Sequence, residues 1–167
     1  PMFYIPNSVV YDSSQVSGWV DAHREYEFAL NMTSIEVTND ENELRGAWSE
    51  SIDTLNILGW SNQLKIEFHL DQIYDRLVRF GPDLSPDMEL SLATDWSIIP
   101  EEDTIEYTIR EGHTWHDGEP LTAEDVAFSL NYTKEKEVPL YNPQTIILSS
   151  AEAIDETTVE VQFNEGE

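Results

Sequence analysis

Any fold this chain adopts must leave nearly all of its thirty-four carboxylates at the surface. Asp and Glu number 34 against 8 Lys and Arg, a formal net charge of −26. Charged side chains are rarely buried unless paired, and eight cations cannot pair thirty-four anions. The acids run along the whole chain instead of gathering in a tail, which points to an acidic surface on a folded body. Hydrophobic residues make up 40%, with 5 Trp, 7 Tyr and 6 Phe, too apolar and too aromatic for a disordered acidic segment. At 167 residues the chain is long enough for one domain with a real core.

Such a surface repels itself in dilute buffer. At molar salt the Debye length shrinks to about 3 Å and the repulsion is screened. Adaptation to a high-salt medium is therefore the simplest reading. A calcium-binding role is the rival, but no Asp-rich loop with a central Gly and a terminal Glu occurs. Nucleic acid is excluded as a partner, because phosphate binding needs clustered Lys and Arg. The absence of cysteine removes disulfides, thiolate nucleophiles and Cys-based zinc sites. No apolar run approaches the roughly 20 residues of a membrane span. No leader is visible, and the abrupt start at Pro1 reads as that of an excised piece. Two Asn-x-Thr triplets, at Asn31 and Asn131, suit an exported protein but arise often by chance.

Hydrophobic period and turn residues lay out the elements. Residues 3–11 and 30–38 are strand candidates, and Asn39-Asp40-Glu41-Asn42 is a polar, turn-forming linker. A short strand is expected at 43–48. Leu64, Phe68, Ile73, Tyr74, Leu77 and Val78 approach helical spacing and predict a helix over 61–80, ended by Gly81-Pro82-Asp83. Ile105, Tyr107 and Ile109 alternate with Thr and Glu, predicting a half-buried strand over 104–110; Val159, Val161 and Phe163 predict another over 157–163. Between them His116-Asp117-Gly118-Glu119-Pro120 is a turn. Thr122 then caps a helix over 123–134, with Asp125 closing a capping box and Val126, Ala127, Leu130 and Tyr132 turned inward. Helices mixed with alternating strands give an α+β (α/β-like) class with a mixed sheet.

The chemistry-bearing motifs have bland readings beside them. His113-x-x-His116-Asp117 has the look of a metal pair, yet it sits in a strand-to-helix turn where Asp and Gly serve backbone geometry. Trp115, His116, Asp117, Gly118, Thr122 and Asp125 are accordingly read as structural, with Trp115 and Trp96 in the core. No Gly-x-Ser-x-Gly elbow and no Gly-rich phosphate loop occur, so no catalytic residue, metal or cofactor is expected. Trp48 and Trp60 flank a polar loop and are placed, with Ser49, Ser51, Asn56 and Asn62, as candidates to line a ligand cleft. An ordinary surface loop is the alternative.

The order of these motifs resembles a known family. Ile-Tyr-Asp-Arg-Leu-Val-Arg-Phe at 73–80, Leu-Ala-Thr-Asp-Trp-Ser at 92–97 and the long stretch from Ile105 to Leu130, with Trp-His-Asp-Gly-Glu-Pro-Leu-Thr-Ala-Glu-Asp-Val at its centre, are similar to extracellular solute-binding proteins of the oligopeptide, dipeptide and nickel ABC importers, family 5. Ser51 to Asn56 resembles an early loop of that family, with Asn56 where Asp is common; Ala151 to Phe163 resembles a later strand pair. His113 stands where Val is usual. The resemblance implies that 43–167 is the amino-terminal part of lobe I of a two-lobed periplasmic-binding-protein fold. It implies more weakly that 1–38 corresponds to the family's carboxyl-terminal return to that lobe, with 39–42 as the junction of a permuted order. Implied with it are a peptide or small solute as ligand, a membrane permease as partner, an extracellular location with membrane anchoring in the full-length protein, and no catalysis. A non-catalytic surface interaction or structural module derived from the family stays open as the alternative; a secreted enzyme is disfavoured by the missing nucleophile and metal motifs.

Overall fold

A computed structural model describes residues 12, 14–19, 35–44, 56, 58, 73–81, 83–138, 141 and 145–165. The expected strand at 3–11, residues 45–48 of the strand expected at 43–48, and the first part of the expected helix, 61–72, lie outside the described residues; Glu43 and Leu44 are described and are not in a strand.

Two short strands come first. β1 (Val16–Ser17) pairs antiparallel with β2 (Glu36–Val37), Val16 opposite Val37. The polar stretch after β2 is an ordered turn. Asn39 donates through Nδ2 to Gln15 Oε1 (2.9 Å) and to the Glu43 carbonyl (2.8 Å), and Asn42 takes a left-handed conformation at φ 51°. Such turn chemistry is what Asn supplies.

The main body is a four-stranded sheet with one helix. β3 (Ala93–Ile99), β4 (Thr104–Ile109), β5 (Leu148–Ala153) and β6 (Thr158–Phe163) lie in the order β3-β4-β6-β5. Every pairing among them is antiparallel. A mixed sheet needs a parallel strand, and none lies among the described residues; the α+β class holds. β4 and β6 fall where the alternation placed them. In β6 the expected pattern is visible in burial: Val159 and Val161 are buried, Phe163 packs against them, and Glu160 and Gln162 face away.

Helix α1 (Ala123–Glu135) crosses the β5–β6 half of the sheet. Its Ala123, Val126 and Ala127 join Leu92, Ile109, Leu148, Ala151, Val159 and Val161 in one core, with Leu130 packed at its edge. Ala123, Ala127 and Ala151 at this seam let helix and sheet approach closely, and the apolar area removed from water is the main stabilising term. Tyr132, expected inward, is half-buried and instead stacks on the exposed Phe128, ring centroids 5.5 Å apart.

Two expectations need correction. Residues 73–80 are not helical: they form turns and an isolated antiparallel bridge between Phe80 and Pro86. Their backbone is drawn off by neighbours in space. Leu92 and Ala93 N–H donate to the carbonyls of Arg76 (3.0 Å) and Leu77 (2.9 Å), and Arg79 N–H donates to Ser91 Oγ (2.9 Å). Ile73, Tyr74 and Val78 have only modest helix propensity, so tertiary bonds decide. Trp115 is 40% exposed and outside the core, because it occupies a corner of a turn. Trp96, paired across from Tyr107, is only half-buried.

Candidate functional site

Residues 109–123, part of the stretch that carries the family resemblance, gather with the β5–β6 turn at one end of the sheet. β4 ends at Ile109, whose N–H donates to the Thr157 carbonyl (2.7 Å) in the β5–β6 turn. Gly112 follows at φ 71°, turning the chain outward. Thr114 and Pro120 then form a bridge around a tight loop. Within it Trp115 N–H donates to the Glu119 carbonyl (2.8 Å), and Gly118 N–H donates to the Trp115 carbonyl (2.9 Å). Gly118 sits at φ 91°, in the region side chains avoid, which makes the loop a three-residue turn closed by a glycine bulge. Asp117 braces it by accepting Glu119 N–H at 3.1 Å. His116 lies in the same turn. Asp117 and Gly118 thus hold the turn, while Trp115, expected in the core, is exposed at its corner.

The turn delivers the chain to α1. Thr122 is in an extended conformation, φ −121° and ψ 167°, as an N-cap requires. Asp125 Oδ2 accepts the Thr122 N–H (2.9 Å) and the Thr122 hydroxyl (3.0 Å), closing the capping box. Ala123 N–H, one of the donors a helix start leaves without an internal partner, goes to the Glu156 carbonyl at 3.1 Å. Strand end, helix start and β5–β6 turn are thus fastened at one point.

His113, which with His116 has the spacing of a metal pair, meets a carboxylate instead. Its Nε2 lies 2.7 Å from Asp75 Oδ2. No group of three or more His, Cys, Asp or Glu side chains among the described residues is placed to hold a metal. No described carboxylate is buried. Three aspartates have carboxyls held below the ordinary range by hydrogen bonds. At Asp12 and Asp83 the hydroxyls of Ser14 and Ser85 act first; at Asp155 the leading donor is the Thr157 backbone N–H, followed by the Thr158 side chain. Each of these shifts runs in the direction of a structural acceptor, opposite to that of a general acid. Burial pushes the Tyr107 hydroxyl up. No described helix is long and apolar enough to cross a membrane.

Of the six cleft candidates only Asn56 is described. It is exposed, and its Oδ1 accepts the Leu58 N–H at 3.1 Å. Trp48, Ser49, Ser51, Trp60 and Asn62 lie outside the described residues. Two structural residues escaped the sequence reading. Arg110 reaches through Nη2 to the carbonyls of Met88 and Ser91, the latter at 3.0 Å. Asp75 meets His113 from the segment expected to be helical. Neither has a local sequence signal, since both act across long loops.

The fold is that of a part of known two-lobed binding proteins. The oligopeptide-binding protein AppA from Bacillus subtilis, solved with a nonapeptide, matches 64% of this chain and 21% of its own, with TM-score 0.53 and 23% identity. NikA from Brucella suis, solved with Fe(III)-EDTA, matches 55% of this chain and 18% of its own, with TM-score 0.50 and 20% identity. In sequence, a Brucella melitensis binding protein is 35% identical over 74 residues, 44% of this chain and 12% of that protein. The dipeptide-binding protein DppE of Bacillus subtilis is 37% identical over 60 residues, 36% of this chain and 11% of that protein. The chain thus spans about an eighth of the length of the curated relatives it matches. Residues 87–167, which hold the whole four-stranded sheet, the Trp115–Gly118 turn and the capped helix, match the family of bacterial extracellular solute-binding proteins, family 5 Middle.

Proposed function

We propose that this chain is part of the substrate-binding component of an ABC importer, taking peptides or similar small solutes outside the membrane and handing them to a permease. One observation carries the reading: the segment matched by the family, 87–167, coincides with the folded unit of sheet, turn and capped helix. In this reading 43–167 belongs to lobe I, 1–38 corresponds to a carboxyl-terminal return to it, and 39–42 is the junction between them. The parent protein is membrane-anchored and faces outward, and it catalyses no reaction. The loop containing Trp48, Ser49, Ser51, Asn56, Trp60 and Asn62 faces the cleft. The acidic composition is an adaptation to molar salt; the placement of every described carboxylate outside the core supports this. The test is uptake. Cells deleted for the coding gene should lose import of at least one labelled solute from a panel of di- to nonapeptides and nickel chelates, with recovery on complementation. Unchanged uptake across the panel would overturn the proposal.

A further inference from the structure

Asn131-Tyr132-Thr133 reads as an acceptor triplet for N-linked sugar, and the fold gives both of its working groups other tasks. Asn131 sits on α1 opposite the outer strand β5 and pairs with one residue there from both sides. Its Nδ2 donates to the Ala151 carbonyl at 2.7 Å, and its Oδ1 accepts the Ala151 N–H at 3.0 Å. Ala151 is buried, and it lies next to the register irregularity between Leu148 and Ser150. β5 is an outer strand of the described sheet, and the Asn131 amide makes with it the two bonds that a neighbouring strand would make. The Thr133 hydroxyl is turned back into the helix, 2.9 Å from the carbonyls of Ser129 and Leu130.

We infer that the docked helix and a sugar on Asn131 are mutually exclusive, so that in the folded protein this triplet is a latch between α1 and β5 and not a modification site. Glycosylation joins Nδ2 to the anomeric carbon of a sugar carried on a lipid pyrophosphate; the amide loses one proton and the lipid pyrophosphate leaves. The product is a secondary amide, planar and trans, with its remaining N–H anti to Oδ1. Pairing both polar groups of Ala151 uses the opposite N–H, the one on the same side as Oδ1. In the trans product that position carries the sugar. Modification therefore removes the donor that faces Ala151 and sets a bulky polar group against the buried strand, and no rotation about the side chain restores both bonds.

The test presents the folded full chain to an oligosaccharyltransferase with its lipid-pyrophosphate sugar donor. A synthetic peptide spanning 127–137 is run alongside, using an enzyme already shown to accept that peptide. Peptide mapping of the folded chain should find Asn131 at least tenfold less modified than in the peptide. In parallel, hydrogen exchange should show the Ala151 amide protected in the wild type and at least tenfold faster in Asn131→Ala, which removes both the acceptor and the donor. Modification of the folded chain at the peptide's rate, with an unchanged melting temperature, would overturn the inference. So would an Ala151 amide in the wild type that exchanges as fast as an exposed loop, a result that needs no variant to fold.

Discussion

His113 Nε2 and Asp75 Oδ2, thirty-eight positions apart, meet at 2.7 Å and fasten the 73–81 segment to the loop that leaves β4. Both side chains are substantially exposed, so the pair's worth is that of a surface contact. A double-mutant cycle with His113→Ala and Asp75→Ala should give a coupling of about 0.2–1 kcal/mol by chemical denaturation. A larger value would show that the 73–81 segment depends on this contact for its position.

The turn at Trp115–Gly118 makes a sharper prediction. Nothing lies within 4 Å of where a Gly118 side chain would begin, so the cost of Gly118→Ala is backbone strain alone. It should be about 1–2 kcal/mol, the penalty for an L-residue held in the left-handed region. Trp115→Ala, at a site 40% exposed, should cost well below the ~3–5 kcal/mol of a buried aromatic. Equilibrium urea unfolding of both variants checks this, and a Trp115 cost in the buried range would contradict its placement.

Asp155 predicts a pH dependence. It accepts four hydrogen bonds in the β5–β6 turn, from the N–H groups of Thr157 and Thr158 at 2.8 Å each and from both hydroxyls. Its carboxyl is held below the ordinary aspartate value, first by the Thr157 N–H. A depressed carboxyl stabilises the fold above its unfolded-state value, and that contribution is lost as pH falls through the folded one. Asp155→Ala should therefore melt below the wild type at pH 7. The gap should narrow steadily as pH is lowered through and beneath the ordinary carboxylate range. A gap that is constant down to pH 2 would mean that the hydrogen bonds do not depend on the charge.

Salt dependence has a specific address in the sheet. Glu106 lies directly across from Glu160, and Glu160 directly across from Glu152, so three carboxylates form a row on the face opposite the core. Like charges directly opposite each other destabilise a sheet by up to about 1 kcal/mol. Glu160→Gln should raise the melting temperature in 0.1 M salt, and the gain should fade above 1 M as screening takes over. The wild type itself should melt higher in molar salt. A gain that persists unchanged at high salt would assign the effect to packing.

Ligand binding by the chain itself should be weak. Small-molecule sites enclose most of their ligand, and this chain matches only about a fifth of the AppA structure. Calorimetry in molar salt with a peptide mixture should find nothing tighter than about millimolar, roughly 4 kcal/mol. Micromolar binding would mean that the chain forms a complete site.

What could be read in advance divides along physical lines. β4, β6 and α1 carry their instructions locally: Ile105 to Ile109 and Val159 to Phe163 alternate, and Thr122 with Asp125 announces the helix start. β3 does not. Ala93 to Ile99 buries only its first residue, so no clean period of two marks it. The 73–80 stretch misled for the opposite reason. Its apolar spacing fits a helix, but Ser91, Leu92 and Ala93 claim its backbone groups through contacts no local window contains. Asp117 and Gly118 were legible because turn geometry is local. Trp115 was not, because exposure is a property of the assembled surface. Asn131 shows in the sequence only a common triplet; its pairing with Ala151 depends on the helix already lying on the sheet.

The strand order carries a consequence for how the molecule assembles. β3 with β4 and β5 with β6 are each neighbours along the chain, closed by short connections, and both can zip early at little entropic cost. The β4–β6 seam is different. It joins Thr108 to Thr158 and Ile105 to Val161 across the whole of α1, so its formation waits on closure of a long loop. The helix shortens that wait, since its capped start is already tied to the Glu156 carbonyl beside the seam. The strand order thus predicts that the meeting of the two hairpins limits the folding rate, with Tyr107 opposite Val159 at the seam.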